Sequence, residues 1–306
     1  MRGKTIRLYL VDGTPTGVLT AEIMNWTGKF IVAPRSQLAD LLKRPEVRRT
    51  GLYFLVGADP EDPNRDHVYI GEADSVLTRL TNHDKDDAKD FWTRTVVVIS
   101  KDENLTKSHG RYLESRLIEM TRRAERASLA NGTNPDATPL PEPDVADMEF
   151  FTEQVQMVLP VLGFTFLQPR AQAAPGNDGS PRFVMRDVGT EAHAVELAGE
   201  FVVLQGSTAR KQGVESWTSY RALRDRLVRE GKLVDSPDAN YYVFAEDVAF
   251  GSPSAGAAVV AARNTNGREK WRVEGTGQSY AVWHEAKLAA AAGRTSDDGE
   301  AASFKQ

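Results

Sequence analysis

Two short runs of strand-forming residues constrain this chain more than anything else in it: Gly51-Leu52-Tyr53, continuing to Val56, and His67 to Ile70-Gly71. Between them Ala58–Asp66 is rich in Asp, Pro and Asn, so the pair predicts an antiparallel hairpin, Leu52–Val56 with His67–Ile70. A helix follows directly. Asp74 or Ser75 can cap it, and Leu77 and Leu80 share one face. Each strand carries a tyrosine, Tyr53 and Tyr69, which cross-strand pairing can bring together. Arg79 falls ten positions after Tyr69, on the helix, and His83 is one turn further along the same face.

Upstream, Ile6–Val11, Val18–Ile23 and Phe30–Val32 read as strands of an N-terminal β extension, with a short helix at Gln37–Lys43 capped by Ser36. Downstream, Thr95–Ile99 is a buried β-branched run. Leu105–Leu129 has an apolar stripe at helical spacing (Leu113, Leu117, Met120, Ala124) that Asn131-Gly132 can stop. A further helix capped by Asp147 carries Phe151, Val155 and Leu159. The Pro- and Gly-rich stretch 168–182 is the best domain boundary. Beyond it, a hairpin turning at Gly199, a helix over Trp217–Arg229, a strand over Tyr241–Phe250, a small-residue helix opening at Ser252-Pro253 and a strand over Glu269–Val273 predict a second α+β domain. The expected organisation is therefore α+β throughout: N-terminal β extension 1–50, a first domain with its following helix at 51–167, linker 168–182, a second domain at 183–290, and a flexible tail at 291–306.

The chain has 306 residues and no cysteine, which excludes disulfides and thiolate-held zinc. No apolar run approaches the ~18 residues of a membrane span, and the N-terminus lacks the pattern of a signal peptide. A cytoplasmic protein without a membrane partner is expected. The net charge of −5 is unhelpful for a nucleic-acid partner. The basic residues nevertheless concentrate in the first fifty positions and along Lys107–Arg126, and phosphate contact depends on local potential.

Hydrolysis of a phosphodiester needs an activated water, charge stabilisation on the phosphoryl oxygens and help for the leaving group. Two tyrosine hydroxyls, a permanently charged arginine fork and a helix carboxylate can supply these parts. Gly51-Leu52-Tyr53, Tyr69-Ile70-Gly71, Arg79, His83 and Tyr112-Leu113-Glu114, with Asn131 just past the helix, together resemble the GIY-YIG nuclease family over roughly residues 51–131. The resemblance implies a small mixed sheet with flanking helices. It implies a metal-dependent endonuclease in which Tyr53 is the general base, Tyr69 a second hydroxyl at the phosphate and Arg79 the phosphate clamp. His83 would orient water or relay a proton, Asn131 would join the site, and Glu114 would be the protein ligand of one Mg²⁺ or Mn²⁺ ion. The implied partner is nucleic acid, with DNA favoured over RNA. The alternative is a catalytically inactive nuclease fold serving as a DNA-binding or regulatory module. Two departures stand out: leucine replaces isoleucine in the first motif, a volume-conserving change, and the hairpin loop is long.

The second domain resembles a small module of unknown function found appended to such nucleases, by Phe250 through Ser254, Ala257-Ala258, Asn266-Gly267 and Trp271. A protein partner could dock through it. The start of its Ser252-Pro253-Ser254 helix either offers amide N–H groups to a phosphate or is simply a cap over tightly packed alanines.

Overall fold

The computed structural model describes residues 3–62, 65–132, 138–169, 180–197 and 199–300. The chain divides into two compact units, Met1–Arg170 and Ala171–Gln306. It is mixed α+β with separate sheets in each unit.

The first unit is built on β1 (Ile6–Leu10), β2 (Leu19–Ile23), β3 (Gly28–Pro34), β4 (Gly51–Ala58), β5 (Asp66–Ala73), β6 (Trp92–Ser100) and β7 (Ala127–Leu129). These form one sheet in the order β1-β2-β3-β6-β4-β5-β7, antiparallel except for the β5–β7 pair. The N-terminal β extension is thus not a separate layer, because β3 pairs along its whole length with β6. Four helices join them: α1 (Leu38–Leu42), α2 (Val76–Asp84), α3 (Lys107–Ala124) and α4 (Glu142–Val161).

Strand periodicity decides which face each side chain serves. Leu52, Phe54 and Val56 of β4, with Val96 and Val98 of β6, enter the cluster that holds Leu113, Leu117, Phe151 and Val155 of α3 and α4. Tyr53 and Leu55, with Val97 and Ile99, point the other way, to Leu38 and Leu41 of α1 and Val76 and Leu80 of α2. Because β4 is the strand between β6 and β5, it is buried on both sides from Gly51 to Gly57. Tyr53 therefore lies beneath α2 by alternation alone.

Two expected helix limits differ. α3 stops at Ala124, with Glu125 in the left-handed conformation (φ 53°), so that residues 127–129 can pair with β5. A three-residue parallel strand leaves no periodic signal, and its pairing overrides the helical pattern that extended to Leu129. α4 begins at Glu142, behind Pro141, rather than at Asp147.

The second unit contains β8 (Phe183–Asp187), β9 (Thr190–Leu197), β10 (Glu200–Val203), β11 (Thr208–Arg210), β12 (Leu233–Asp235), β13 (Tyr241–Phe244), β14 (Val248–Phe250) and β15 (Arg272–Val273). They make a five-stranded sheet, β14-β10-β9-β8-β15, and a three-stranded one, β11-β13-β12. Its helices are α5 (Arg221–Arg229), α6 (Pro253–Ala261), α7 (Gly267–Lys270) and α8 (Tyr280–Glu300). The single strand expected over Tyr241–Phe250 is two strands in different sheets. The strand expected over Glu269–Val273 is the end of α7 followed by β15. α5 starts four residues after Trp217, behind Tyr220 in the left-handed conformation. The expected linker falls mostly on residues 170–179, outside the described residues. The expected tail overlaps the backbone of α8, with 301–306 outside the described residues.

α6 is buried throughout from Ala255 to Ala261, which explains its small side chains. Its start is fully committed to the fold. Ser252 Oγ accepts the Ala255 N–H at 3.2 Å, Ser254 Oγ accepts the Gly267 N–H at 3.1 Å, and the Pro253 carbonyl accepts the Trp271 indole N–H at 2.9 Å. A Cβ on Gly267 would lie 2.1 Å from the Pro253 carbonyl oxygen. Ser-Pro-Ser, Ala-Ala, Asn-Gly and Trp are therefore one packing motif, with the Ala255 and Gly256 amides of the helix start capped by Ser252.

Candidate active site

The sequence-predicted residues converge at one end of β5. The Tyr53 hydroxyl lies 2.8 Å from His83 Nε2. The Tyr53 and Tyr69 ring centroids are 6.0 Å apart, and the Tyr69 and His83 centroids 5.1 Å apart. The motif glycine makes this possible: a Cβ on Gly71 would sit 2.4 Å from the Tyr53 hydroxyl, so the phenol lies across a bare stretch of backbone. Gly51 and Gly57 are needed likewise, since their added Cβ atoms would meet the carbonyl oxygens of Val98 at 2.7 Å and Phe91 at 1.9 Å.

Glu114 reaches the same place from α3 around the sheet edge. β7 covers β5 only at Asp66–Val68, so the outer edge beyond Tyr69 lacks a strand partner. Ile70 and Glu72, two residues apart, direct their backbone groups to that same edge. Ile70 donates to Asn131 Oδ1 at 3.0 Å, and Asn131 Nδ2 donates back to the Ile70 carbonyl at 2.8 Å. The Glu114 carboxylate lies near enough to the Glu72 N–H for that group to lower its proton affinity. Asn131 was expected among the reacting groups. Both ends of its amide are occupied by backbone, and its place is to fix the strand edge that presents Glu72 and Tyr69.

The proton affinities follow from burial. It pushes the Tyr53 phenol well above its usual range, with Tyr69 adding to the push and the Arg79 charge opposing it. Tyr69 is raised too, again chiefly by burial. His83 is lowered by burial and then by the Lys89 and Arg79 charges, so its imidazole is neutral at pH 7. In the tautomer that leaves Nε2 unprotonated, neutral His83 is a proton acceptor at hydrogen-bond distance from a phenol that will not ionise unaided. Glu114 is pushed up to about 7, first by burial and then by the Glu72 carboxylate; Arg79 and Arg111 pull it the other way.

Glu72 and Lys89 were not singled out in the sequence. Glu72 is raised, mainly by burial, and its Oε2 is buried without a hydrogen-bond partner. Its nearest cation is Arg111, at 3.9 Å. α3 passes close to it at Gly110, where a Cβ would come within 3.4 Å of Oε2. The signal that could have found it is its place three residues after Tyr69, inside the motif strand. Lys89 places its ammonium 3.8 Å from the Tyr69 ring centroid.

Most of the clustered basic residues are already spent on ion pairs: Lys29 and Arg44 on Glu46, Arg35 on Asp84 and Asp90, Arg116 on Glu149, Lys107 on Asp74. Arg79 differs. It is exposed on α2, and among the described residues its guanidinium has no carboxylate within 4 Å and no hydrogen bond. It lines a cavity of about 300 Å³ together with Glu72, Ser75, Thr78, Asn82 and Lys107.

Among the described residues no three or more His, Cys, Asp and Glu side chains gather as a metal-binding group. Glu114 and Glu72 together nonetheless suit a magnesium-like ion. Such an ion takes one or two carboxylates and fills its remaining positions with water and phosphate, and the orphaned Glu72 oxygen is a donor with nothing else to bind.

Comparison with known proteins identifies the second unit: residues 183–284 match the family described as Domain of unknown function (DUF4357). The match supports the expected C-terminal accessory domain. No curated protein and no solved structure matches the chain. No helix among the described residues is long and apolar enough to cross a membrane.

Proposed function

We propose that the first unit is a GIY-YIG-type endonuclease that hydrolyses phosphodiester bonds of nucleic acid. One observation carries the reading. Groups from β4, β5, α2 and α3 converge on one strand end, while Arg79, the one with a permanent charge, has no partner among the described residues. In structural proteins such a convergence of buried polar groups would be neutralised internally.

Arg79 binds a non-bridging phosphoryl oxygen through its fork, which acts most strongly as charge develops in the transition state. Tyr53 takes the proton of the attacking water as it passes its own to His83 Nε2, because its high proton affinity forbids a standing phenolate. Tyr69, steadied by Lys89, donates to a phosphate oxygen. Glu114 and Glu72 would hold one Mg²⁺ or Mn²⁺ ion, which when bound supplies Lewis-acid stabilisation of the phosphoryl charge. Asn131 and Gly71 position these groups without touching substrate.

The test is incubation of the purified chain with supercoiled plasmid and with single-stranded DNA and RNA, in Mg²⁺ or Mn²⁺ and in EDTA. Cleavage that requires the ion is expected. Binding of nucleic acid without metal-dependent cleavage of any of them would favour an inactive nuclease fold used for binding.

A further inference from the structure

A cavity of the second unit holds about 460 Å³ and opens between the segment after β11, β13 and α5. Lys211, Trp217, Arg221, Arg224 and Tyr242 line it. None of them belongs to the packing motif around α6, and the DUF4357 match assigns them no role.

Arg224 is the unusual member. Its residue exposure is 5 %, yet among the described residues no carboxylate lies within 4 Å of its guanidinium. The group is held in place by other means. Nη2 donates to the carbonyls of Arg210 and Lys211, and the guanidinium carbon lies 5.2 Å from the Trp217 ring centroid and 5.3 Å from that of Tyr242. Carbonyls and ring faces orient a cation but do not neutralise it, and a buried charge without a counter-ion is costly. Burial is what chiefly disfavours the Arg224 charge; the Asp225 carboxylate acts on it from beyond ion-pair distance, and the Arg221 and Arg210 charges oppose that help. Lys211 stands at the rim, 5.2 Å from the Tyr242 ring centroid and paired outward with Asp235 at 2.6 Å. Glu215 and Asp225 are the acidic residues of the lining; both are exposed, and neither forms an ion pair with Arg224 or Arg221. Finally, the Trp217 indole N–H is buried with no acceptor.

We propose that this cavity binds a phosphate ester of about mononucleotide size, its phosphate seated against Arg224, Arg221 and Lys211. A phosphate supplies the missing counter-charge, and its several oxygens can serve two guanidinium forks, an ammonium and the orphaned indole N–H at once. The cavity is larger than inorganic phosphate requires and lies within the range of small-molecule sites. Two sources share this chemistry: a free nucleotide, or a nucleotide of a nucleic-acid strand. The proposal stands independently of the hydrolytic reading, whose residues all belong to the first unit.

The experiment is a calorimetric titration of the full chain in EDTA with adenosine monophosphate, adenosine, citrate and a 5′-phosphorylated oligonucleotide. Binding of the monophosphate or of the oligonucleotide, but not of adenosine or citrate, is expected. Arg221→Ala, an exposed position, should weaken it at least tenfold, the scale of a lost charge-assisted contact, and Arg224→Met should abolish it. If Arg224→Met does not fold, Arg221→Ala and Lys211→Ala carry the test. Tighter binding of the free monophosphate assigns the site to a soluble nucleotide, and tighter binding of the oligonucleotide assigns it to a strand. The proposal is overturned if neither binds, if citrate binds equally well, or if binding survives Arg221→Ala and is lost in Arg79→Ala.

Discussion

The two units carry equally recognisable short motifs and use them in opposite ways. Around β5 the motif residues bring polar groups together and leave some of them unspent: among the described residues the Arg79 guanidinium has no partner and Glu72 Oε2 no donor. Around α6 the side chains of the motif turn their polar atoms into the fold, Ser252 to Ala255, Ser254 to Gly267 and Trp271 to Pro253. A motif can thus persist because chemistry requires it or because two backbones pass too close for any other residue. What separates the cases is whether its polar atoms end in the fold or remain available. By that criterion the second unit also holds unspent groups, the Trp217 indole N–H beside α5 among them, at positions that no motif marks.

The sharpest way to break the contrast is at Arg79. Arg79→Ala should lower single-turnover cleavage about 10²–10³-fold, the usual cost of removing a donor aimed at developing charge. Arg79→Lys should recover little of it, because a point charge lacks the fork. Full rescue by lysine would show that only charge is needed there.

Next in size is the Tyr53–His83 pair. Tyr53→Phe changes almost no volume and should cost about 10²-fold or more, and His83→Ala a comparable factor, with the double variant scarcely worse than either. Losses that multiply in a double-mutant cycle would mean that the two act separately. Proton competition at Glu114 gives a smaller, graded effect. Its carboxyl is held up near 7, and only the ionised form binds a cation. The apparent Mn²⁺ affinity, measured by calorimetry, should be flat above pH 7 and fall toward tenfold per unit below it. A profile already flat from pH 5 upward would contradict the burial-driven shift.

The smallest effect belongs to the packing motif. Gly267→Ala forces a Cβ onto the Pro253 carbonyl and should destabilise the second unit by about 1–3 kcal/mol, the range for overpacking. It should leave the single-turnover cleavage rate unchanged at temperatures where both units are folded. A lower melting temperature with unaltered cleavage would sharpen the division between the two motifs, and no loss of stability would break it.

Much of this was legible in the sequence, for identifiable reasons. The hairpin, α2 and α3 announce themselves by period and by turn residues, and the spacing from Tyr69 to Arg79 to His83 fixes one helix face. Glu72 was hidden because one glutamate after Gly71 reads as an ordinary solvated strand residue. Only the open edge of β5, created where β7 ends, turns it toward Glu114. The union of β3 with β6 was equally invisible, since it joins segments more than sixty residues apart with no local signature. Glu125 takes a left-handed turn usually reserved for Gly or Asn, which is why α3 seemed to run on to Asn131-Gly132. Arg224 follows the same pattern: its helix reads as amphipathic and exposed, and its burial appears only when β11 and β13 close over it.

The measurement that bears most directly on the central claim is the single-turnover cleavage rate of Glu114→Gln at pH 8 in saturating Mg²⁺, with its melting curve recorded alongside. The substitution keeps the shape of the side chain and its place against the Glu72 N–H, so the melting curve should be preserved. The rate should fall about 10³-fold or more, the several kcal/mol that a bound divalent ion contributes to such a reaction. A folded Glu114→Gln protein that cleaves at the wild-type rate would show that this carboxylate holds no metal and that the cluster on β5 is not the hydrolytic centre.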